Sequence, residues 1–166
     1  MRLLLVLVFT LLPASAAFPR PPNVGDVAPD WTLENKEGES VNYYEASEGK
    51  VSIVLFWATW CPYCRSLMPH LEVIYQNYRN KGLEFYAIDI FEDGKIDPVE
   101  YFEKMQFSFT MLKDGDLVAG DYGVKGTPGL FVVDRDKKII YRKPVGVSDV
   151  LVKQNVDLKV KQALAK

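Results

Sequence analysis

The sequence predicts an α/β domain with a central mixed β-sheet flanked by helices. Val51–Trp57 is a nearly continuous apolar run, which suits a central strand buried on both faces. A helical pattern at residues 64–78 and a second strand pattern at Leu83–Ile90 complete a βαβ unit, whose two strands run parallel. Leu130–Val133 and Lys138–Tyr141 flank a polar turn and predict an antiparallel hairpin, so the sheet is mixed.

The N-terminus has the pattern of a secretory signal peptide. Arg2 precedes the apolar run Leu3–Leu12, Pro13 ends it, and the small residues Ala14–Ala16 follow as a cleavage pattern. We therefore expect residues 1–16 to be removed, which places the mature chain in the periplasm without a stable membrane span. The alternative is an uncleaved anchor, but ten helical residues span roughly 15 Å, about half of the hydrocarbon core.

A proline-rich stretch separates the predicted signal peptide from the domain. Residues 17–29 contain four prolines and are expected to form a linker, and residues 30–166 are expected to form the folded domain. The domain begins with a predicted short hairpin, in which residues 31–33 and 40–43 flank a turn centred on glycine.

Two further segments are predicted between the βαβ unit and the hairpin. Asp97–Glu100 has the signals of a helix start, and Phe109–Leu112 fits a short strand. The tail after Ser148 fits two patterns. Alternation at residues 156–160 would suit a strand, but the length of the segment favours a helix. The apolar stripe of that helix would contain Val152, Val156, Val160 and Ala163.

Composition narrows the class of function. The chain of 166 residues has 20 basic and 22 acidic side chains and a formal net charge of -2. Binding to nucleic acid requires a basic surface that neutralises phosphates, so we expect no nucleic-acid partner. The chain contains two cysteines and one histidine, and we predict neither a metal nor a cofactor.

The two cysteines carry the candidate chemistry. Cys61 and Cys64 follow the predicted central strand and stand in the first turn of the next helix, where free N–H groups and the helix dipole stabilise a thiolate. Thiols in such sites have pKa values of roughly 3.5–7.5, against about 8.5 ordinarily. Pro62 suits the first helical turn. We predict a redox-active disulfide in which Cys61 is the attacking sulfur and Cys64 resolves the mixed disulfide.

Other roles for this pair remain open at this stage. A purely structural disulfide would close so short a loop that it constrains the unfolded chain little. A zinc site needs two more ligands, and the only histidine, His70, lies six residues beyond Cys64. A copper-relay site or a metal chaperone would likewise have only the two cysteines and the distant His70 as ligands. A further alternative is a docking module, which would use the fold as a binding surface without any cysteine chemistry.

Two motifs resemble a known family. The segment Phe56–Arg65, followed by Met68–Pro69, resembles the active-site segment of thioredoxin-fold proteins, most closely the exported reductases of the TlpA/ResA type. Gly126–Pro128 resembles the cis-proline loop of that family. The long separation between the cysteines and Pro128 resembles the strand and helix inserted in the exported subfamily. The resemblance implies a thioredoxin-like sandwich.

The resemblance also implies site residues and partners. A cis peptide bond between Thr127 and Pro128 would turn the preceding backbone toward the thiols, where it can pair with an extended substrate. Trp60, Pro62 and Tyr63 are expected to line the same substrate site. The implied activity is reduction of disulfides in exported proteins, for example in cytochrome c maturation, with a membrane thiol as electron donor. An oxidant or isomerase is the alternative.

The sequence departs from the family at two positions where an acid assists proton transfer. Plain thioredoxins have an acid at the position of Leu55, and many TlpA/ResA-type proteins have a glutamate at that of Leu67. Asp89, Glu92 and Asp93, which follow the second predicted strand, are candidate replacements by topology alone. A peroxidase of the peroxiredoxin type is disfavoured because Cys61 lacks the preceding proline and threonine of that motif.

Overall fold

A computed structural model describes residues 20–166, and the predicted signal peptide lies outside the described residues. The described chain contains seven strands and five α-helices, and two of the short helices, at Tyr43–Ala46 and Asp116–Asp121, are not predicted by the sequence patterns. The elements are β1 (Thr32–Glu34), β2 (Ser40–Asn42), α1 (Tyr43–Ala46), β3 (Val51–Trp57), α2 (Pro62–Tyr78), β4 (Leu83–Asp89), α3 (Pro98–Met105), β5 (Thr110–Leu112), α4 (Asp116–Asp121), β6 (Gly129–Val133), β7 (Ile139–Arg142) and α5 (Asp149–Leu164).

The five-stranded sheet has the order β5-β4-β3-β6-β7, with β3 at its centre. β3 pairs in parallel with β4 and antiparallel with β6, so the predicted mixed sheet is confirmed. All seven residues of β3 are buried, as its unbroken apolar run predicts. In the register of the sheet, Trp57 lies opposite Asp89 and Phe56 lies opposite Gly129, so the segments after β3, after β4 and before β6 meet at one end.

Helices cover both faces of this sheet. On one face, α2 and α5 pack with Phe102 of α3 in a buried cluster that also contains both cysteines. On the other face, α4 packs with Trp31 and with Tyr43, the first residue of α1. The thioredoxin-like sandwich is confirmed, including the N-terminal hairpin and the additional helix and strand that precede Pro128.

The ambiguous tail is a helix. Val156 and Val160 are fully buried, whereas Leu158, which a strand would place on the same face, is 50% exposed. A period of 3.6 residues accounts for this difference and a period of two does not. The predicted start of α3 is also confirmed, since the Asp97 carboxylate accepts a hydrogen bond from the N–H of Glu100 at 2.9 Å.

The proline-rich segment differs from the expected linker. The N–H of Gly25 donates to the carbonyl of Ile139 at 2.8 Å, and the N–H of Ala28 donates to that of Lys137 at 2.8 Å. Ala28 is fully buried in the cluster beneath α4. The reason is that β7 offers unpaired backbone groups along its outer side, and residues 25–28 satisfy them. Residues 25–28 therefore pack as part of the domain.

Within residues 20–166, no helix combines the length and the apolar character needed to cross a bilayer.

Candidate active site

Cys61 and Cys64 form a disulfide at the start of α2, with their Cα atoms 5.3 Å apart. Cys61 is the N-cap residue of the helix, and its Sγ accepts a hydrogen bond from the N–H of Cys64 at 3.1 Å. Pro62 occupies the first helical turn, where the lack of an N–H leaves no bond unmade. The N–H groups and the dipole of this 17-residue helix favour negative charge on Cys61 Sγ once the disulfide opens.

The two sulfurs differ in burial. Cys61 is 2% exposed, and Cys64 is fully buried against the core residues Leu67 and Met68. Cys61 is therefore the sulfur that a partner can reach first. Tyr63, two residues further along the chain, is 68% exposed.

The loop before Cys61 is fixed by the loop that follows β4. The Glu92 carboxylate accepts hydrogen bonds from the N–H of Thr59 at 2.7 Å and from its hydroxyl at 2.5 Å. The indole N–H of Trp60 donates to the carbonyl of Phe91 at 2.7 Å. We call these three hydrogen bonds the 59–92 clasp. They fix the backbone that leads into Cys61, because Thr59 is fully buried and its donors have no access to water.

The predicted cis peptide bond between Thr127 and Pro128 is present. Pro128 directly precedes β6, and the pairing of Gly129 with Phe56 places it beside the end of β3 from which the cysteine loop begins. Within residues 20–166, the backbone of Thr127 has no backbone hydrogen-bond partner, and its buried hydroxyl has none either. An edge of unpaired backbone therefore lies next to the cysteine loop.

A cavity of about 1150 Å³ extends from this edge. Tyr63, Thr127 and Pro128, three of the predicted substrate-site residues, line it together. Pro62 and Trp60 are not among its lining residues, and Trp60 is held toward Phe91 by the clasp. Trp60 is still 43% exposed, so it presents an aromatic surface beside the cavity.

The other wall of the cavity is not predictable from sequence patterns. The segment from Arg142 to Asp149 contributes most of it, and Lys125, beside the cis-proline loop, also lines the cavity. No local motif marks these residues, because their proximity depends on the pairing of β6 with β7. The net charge of -2 also gives no indication that four basic residues line one cavity.

The three candidate proton acceptors have different surroundings. The Glu92 carboxylate is engaged by Thr59, and Asp93 is paired with Lys95 at 2.8 Å, which lowers the pKa of the Asp93 carboxyl. Asp89 is 5% exposed. Burial, with smaller contributions from the carboxylates of Asp114 and Glu92, raises the pKa of Asp89 from 3.8 to about 7. The Asp89 carboxyl therefore changes protonation near neutral pH.

From Arg20 onward, no group of three or more histidine, cysteine, aspartate or glutamate side chains is arranged to hold a metal ion. His70 is exposed on α2, and Cys64 is buried.

Comparisons with known proteins agree with this geometry. Residues 24–142 match the AhpC/TSA family. Thiol-disulfide oxidoreductase ResA of Halalkalibacterium halodurans is 30% identical over 135 residues, covering 81% of this chain and 76% of the relative. ResA of Bacillus thuringiensis is 29% identical over 133 residues, covering 80% and 76%.

A solved structure extends the comparison. The structure from Chlorobium tepidum that is assigned as thiol:disulfide interchange protein DsbE superposes with a TM-score of 0.73 at 29% identity, covering 86% of this chain and 98% of that one. The family match, over residues 24–142, includes both the cysteine loop and the cis-proline loop. The chain therefore belongs to the AhpC/TSA family of thioredoxin-like proteins, and it is a thiol–disulfide oxidoreductase with a Cys61–Cys64 disulfide.

Proposed function

We propose that this oxidoreductase is exported and reduces disulfide bonds in other exported proteins, apocytochrome c among them. Cys61 and Cys64 are the catalytic pair, and Trp60, Pro62, Tyr63, Thr127 and Pro128 form the substrate site. The observation that carries the proposal is the position of Cys61 Sγ, at the N-terminus of α2 and at the more accessible end of the disulfide.

The exchange proceeds in two balanced steps. The Cys61 thiolate attacks one sulfur of the substrate disulfide, so that a Cys61–substrate bond forms while the other substrate sulfur leaves and takes a proton. The Cys64 thiolate then attacks Cys61 Sγ, which closes the disulfide and releases the second substrate thiol. Two electrons pass to the substrate, and a membrane thiol donor restores the dithiol.

Asp89 is the proton acceptor that we assign to Cys64. It lies at the end of β4 and continues the alternation of Phe85 and Ala87, whose side chains share a buried cluster with Cys64. A carboxyl with a pKa of about 7 can both accept a proton and release it to water near neutral pH, because its two protonation states then have similar free energies. Asp89 thus takes the role of the acids that the family has at the positions of Leu55 and Leu67.

The proposed export and the proposed partners are supported by the N-terminal sequence and by the similarity to ResA proteins. The apolar run followed by Ala14–Ala16 supports export, and the ResA relatives support thiol–disulfide chemistry on protein substrates. An exported reductase needs electrons from across the membrane, which is why we propose a membrane thiol donor.

The assignment of the two cysteines is tested with the reduced full-length chain and insulin. We expect Cys61→Ser to abolish reduction of the insulin disulfides and Cys64→Ser to accumulate a mixed disulfide on Cys61, visible as an adduct by mass spectrometry. His70→Ala is the control, because His70 is exposed and takes no part in the exchange. Full activity of the Cys61→Ser protein would refute the catalytic role.

The direction of exchange is tested by the reduction potential of the pair. A value near that of thioredoxin, about -270 mV, supports a reductase, and one near -120 mV would identify an oxidant instead. The measurement uses equilibrium with glutathione or dithiothreitol buffers, followed by alkylation of the free thiols.

A further inference from the structure

The cavity beside Pro128 carries a local positive charge. Its lining includes Arg20, Lys125, Arg142 and Lys143 but only one carboxylate, Asp149. This excess is opposite in sign to the net charge of -2 of the whole chain. A local reversal of sign within an acidic protein indicates a surface that attracts a partner of negative charge.

Three of the four cations are not neutralised. Arg20 forms an ion pair with Asp26 at 2.6 Å. Within residues 20–166, no carboxylate lies within ion-pair distance of Lys125, Arg142 or Lys143. The guanidinium of Arg142 donates instead to two backbone carbonyls, those of Pro22 at 2.8 Å and Gly123 at 3.0 Å, and so keeps its full charge in a fixed position.

Size and shape favour a polypeptide as the occupant. The volume of about 1150 Å³ exceeds the roughly 300–1,000 Å³ of small-molecule sites. The unpaired backbone of Thr127 forms part of one wall, and an extended segment can pair with it as an added strand. Val145 and Val147, on the opposite wall, add an apolar surface between the charges.

We infer that the cavity selects disulfide substrates whose cysteine is flanked by acidic residues. The carboxylates lie against Lys125, Lys143 and Arg142 while the backbone beside the substrate cysteine pairs with Thr127. Tyr63 lines the cavity at the end next to the cysteines, so the bound segment leads its sulfur toward Cys61. This inference rests on the proposed function and adds the class of substrate.

The test compares three peptides of one sequence, each with an internal disulfide, in which the residues flanking one cysteine are glutamate, glutamine or lysine. The pre-reduced full chain is mixed with each peptide, and the second-order rate of disulfide loss is followed by acid quench and mass spectrometry. Each rate is divided by the rate of the same peptide with dithiothreitol, which removes differences in intrinsic reactivity.

We expect the glutamate peptide to react at least about fivefold faster than the lysine peptide at about 0.01 M salt, where the Debye length is about 30 Å. The preference should largely vanish near 1 M salt, where that length is about 3 Å. A double variant, Lys125→Glu with Lys143→Glu, should lose or invert the preference.

The matched control is Lys81→Glu with Lys166→Glu. It changes the net charge by the same amount at the end of the sheet away from the cysteines, since Lys81 precedes β4 and Lys166 follows α5. We expect this control to retain the preference for glutamate. A loss of preference in the control would assign the effect to overall charge and overturn the role of the cavity.

The remaining outcomes separate the two proposals. Equal normalised rates for the three peptides, or a preference that survives the Lys125/Lys143 reversal, would overturn the substrate class and leave the oxidoreductase assignment intact. No exchange with any peptide would refute the proposed function and the substrate class with it. Rates per molecule that fall as the protein concentration rises would place a second copy of the chain in the cavity and overturn the inference.

Discussion

The Asp89 carboxyl affects both the proposed proton transfer and the stability of the fold. Its carboxyl lies at the end of a central strand, and one oxygen accepts a hydrogen bond from the N–H of Asp114 at 3.2 Å. A single N–H does not replace the hydration that burial removes, so the charged form is disfavoured. The ionised carboxylate is therefore basic enough to accept a proton from Cys64. Its ionisation, however, reduces the stability of the folded chain.

We predict that Asp89→Asn removes a pH dependence of stability. With a pKa of 3.8 in the unfolded chain and about 7 in the folded one, the folded state binds the extra proton, so stability falls as pH rises through this interval. At about 1.4 kcal/mol per pKa unit, the fall over about three units is on the order of 4 kcal/mol. Urea unfolding of both proteins at the two ends of this interval measures it.

Asp93→Asn provides a control of opposite sign. Its pKa is lowered by Lys95, so the stability from that pair is present above the ordinary pKa of aspartate and is lost as pH falls through the lowered pKa.

The Asp89 prediction is wrong if wild type and Asp89→Asn lose stability equally between pH 4 and pH 7. In exchange assays, Asp89→Asn should also lose the inflection near pH 7 in the rate of the Cys64 step.

At the scale of elements, the 59–92 clasp connects the ends of β3 and β4. Parallel strands bring their carboxyl ends to the same side of the sheet, so the loops after both strands lie in contact. Glu92 provides two acceptors to Thr59, and Phe91 is held in a left-handed conformation with a φ of 55°. The N–H of Phe91 donates to Asp116 at 3.0 Å, so the first turn of α4 also supports the cysteine loop.

We predict that Glu92→Gln destabilises the chain by roughly 1–2 kcal/mol, because hydrogen bonds to a charged acceptor contribute about 1.5–3 kcal/mol each and neutral ones about 0.5–1.5. An amide keeps one oxygen to accept from the N–H of Thr59 and can donate its own N–H to the Thr59 hydroxyl, but both hydrogen bonds lose the charge of the carboxylate. The free energy of unfolding in urea measures this change. Glu100→Gln, exposed on α3, should stay within about 0.5 kcal/mol, and an equal loss in both variants would contradict the clasp.

At the scale of the whole molecule, the predictable part of the fold was the part encoded by local pattern. The apolar run of β3, the capping residues of α3 and the spacing of Cys61 and Cys64 each act over a few neighbours, and the structure confirms them. The Thr127–Pro128 cis bond followed from family resemblance, because most X–Pro bonds are trans.

What sequence patterns missed depends on distant pairing. The bonds of residues 25–28 exist only once the hairpin of β6 and β7 has formed, more than a hundred residues later. A proline-rich composition is typical of a linker and contains no information about the strand that it will meet. The cationic wall of the cavity has the same origin, since Arg142 and Lys125 are brought together by the sheet.

We predict that Ala28→Leu destabilises the domain by about 1–3 kcal/mol, because added atoms must fit into a filled core. Ala28 is fully buried, and its neighbour Val27 is exposed, so Val27→Leu is the matched control with a change within about 0.5 kcal/mol. Thermal or urea unfolding of the two variants measures the difference. Equal stabilities would show that residues 25–28 behave as a linker in solution.

The N-terminal stretch reaches both sides of the sheet. Val27 bridges to Lys138 beside β7, and Asn35 bridges to Leu112 of β5, the outer strand on the opposite side. A strand with free backbone groups is a template on which another chain can add, the first step of edge-to-edge aggregation and amyloid growth. Because one short segment bridges to the chain at both outer edges, a nick within residues 25–35 that released it would expose backbone groups at both edges of the sheet together.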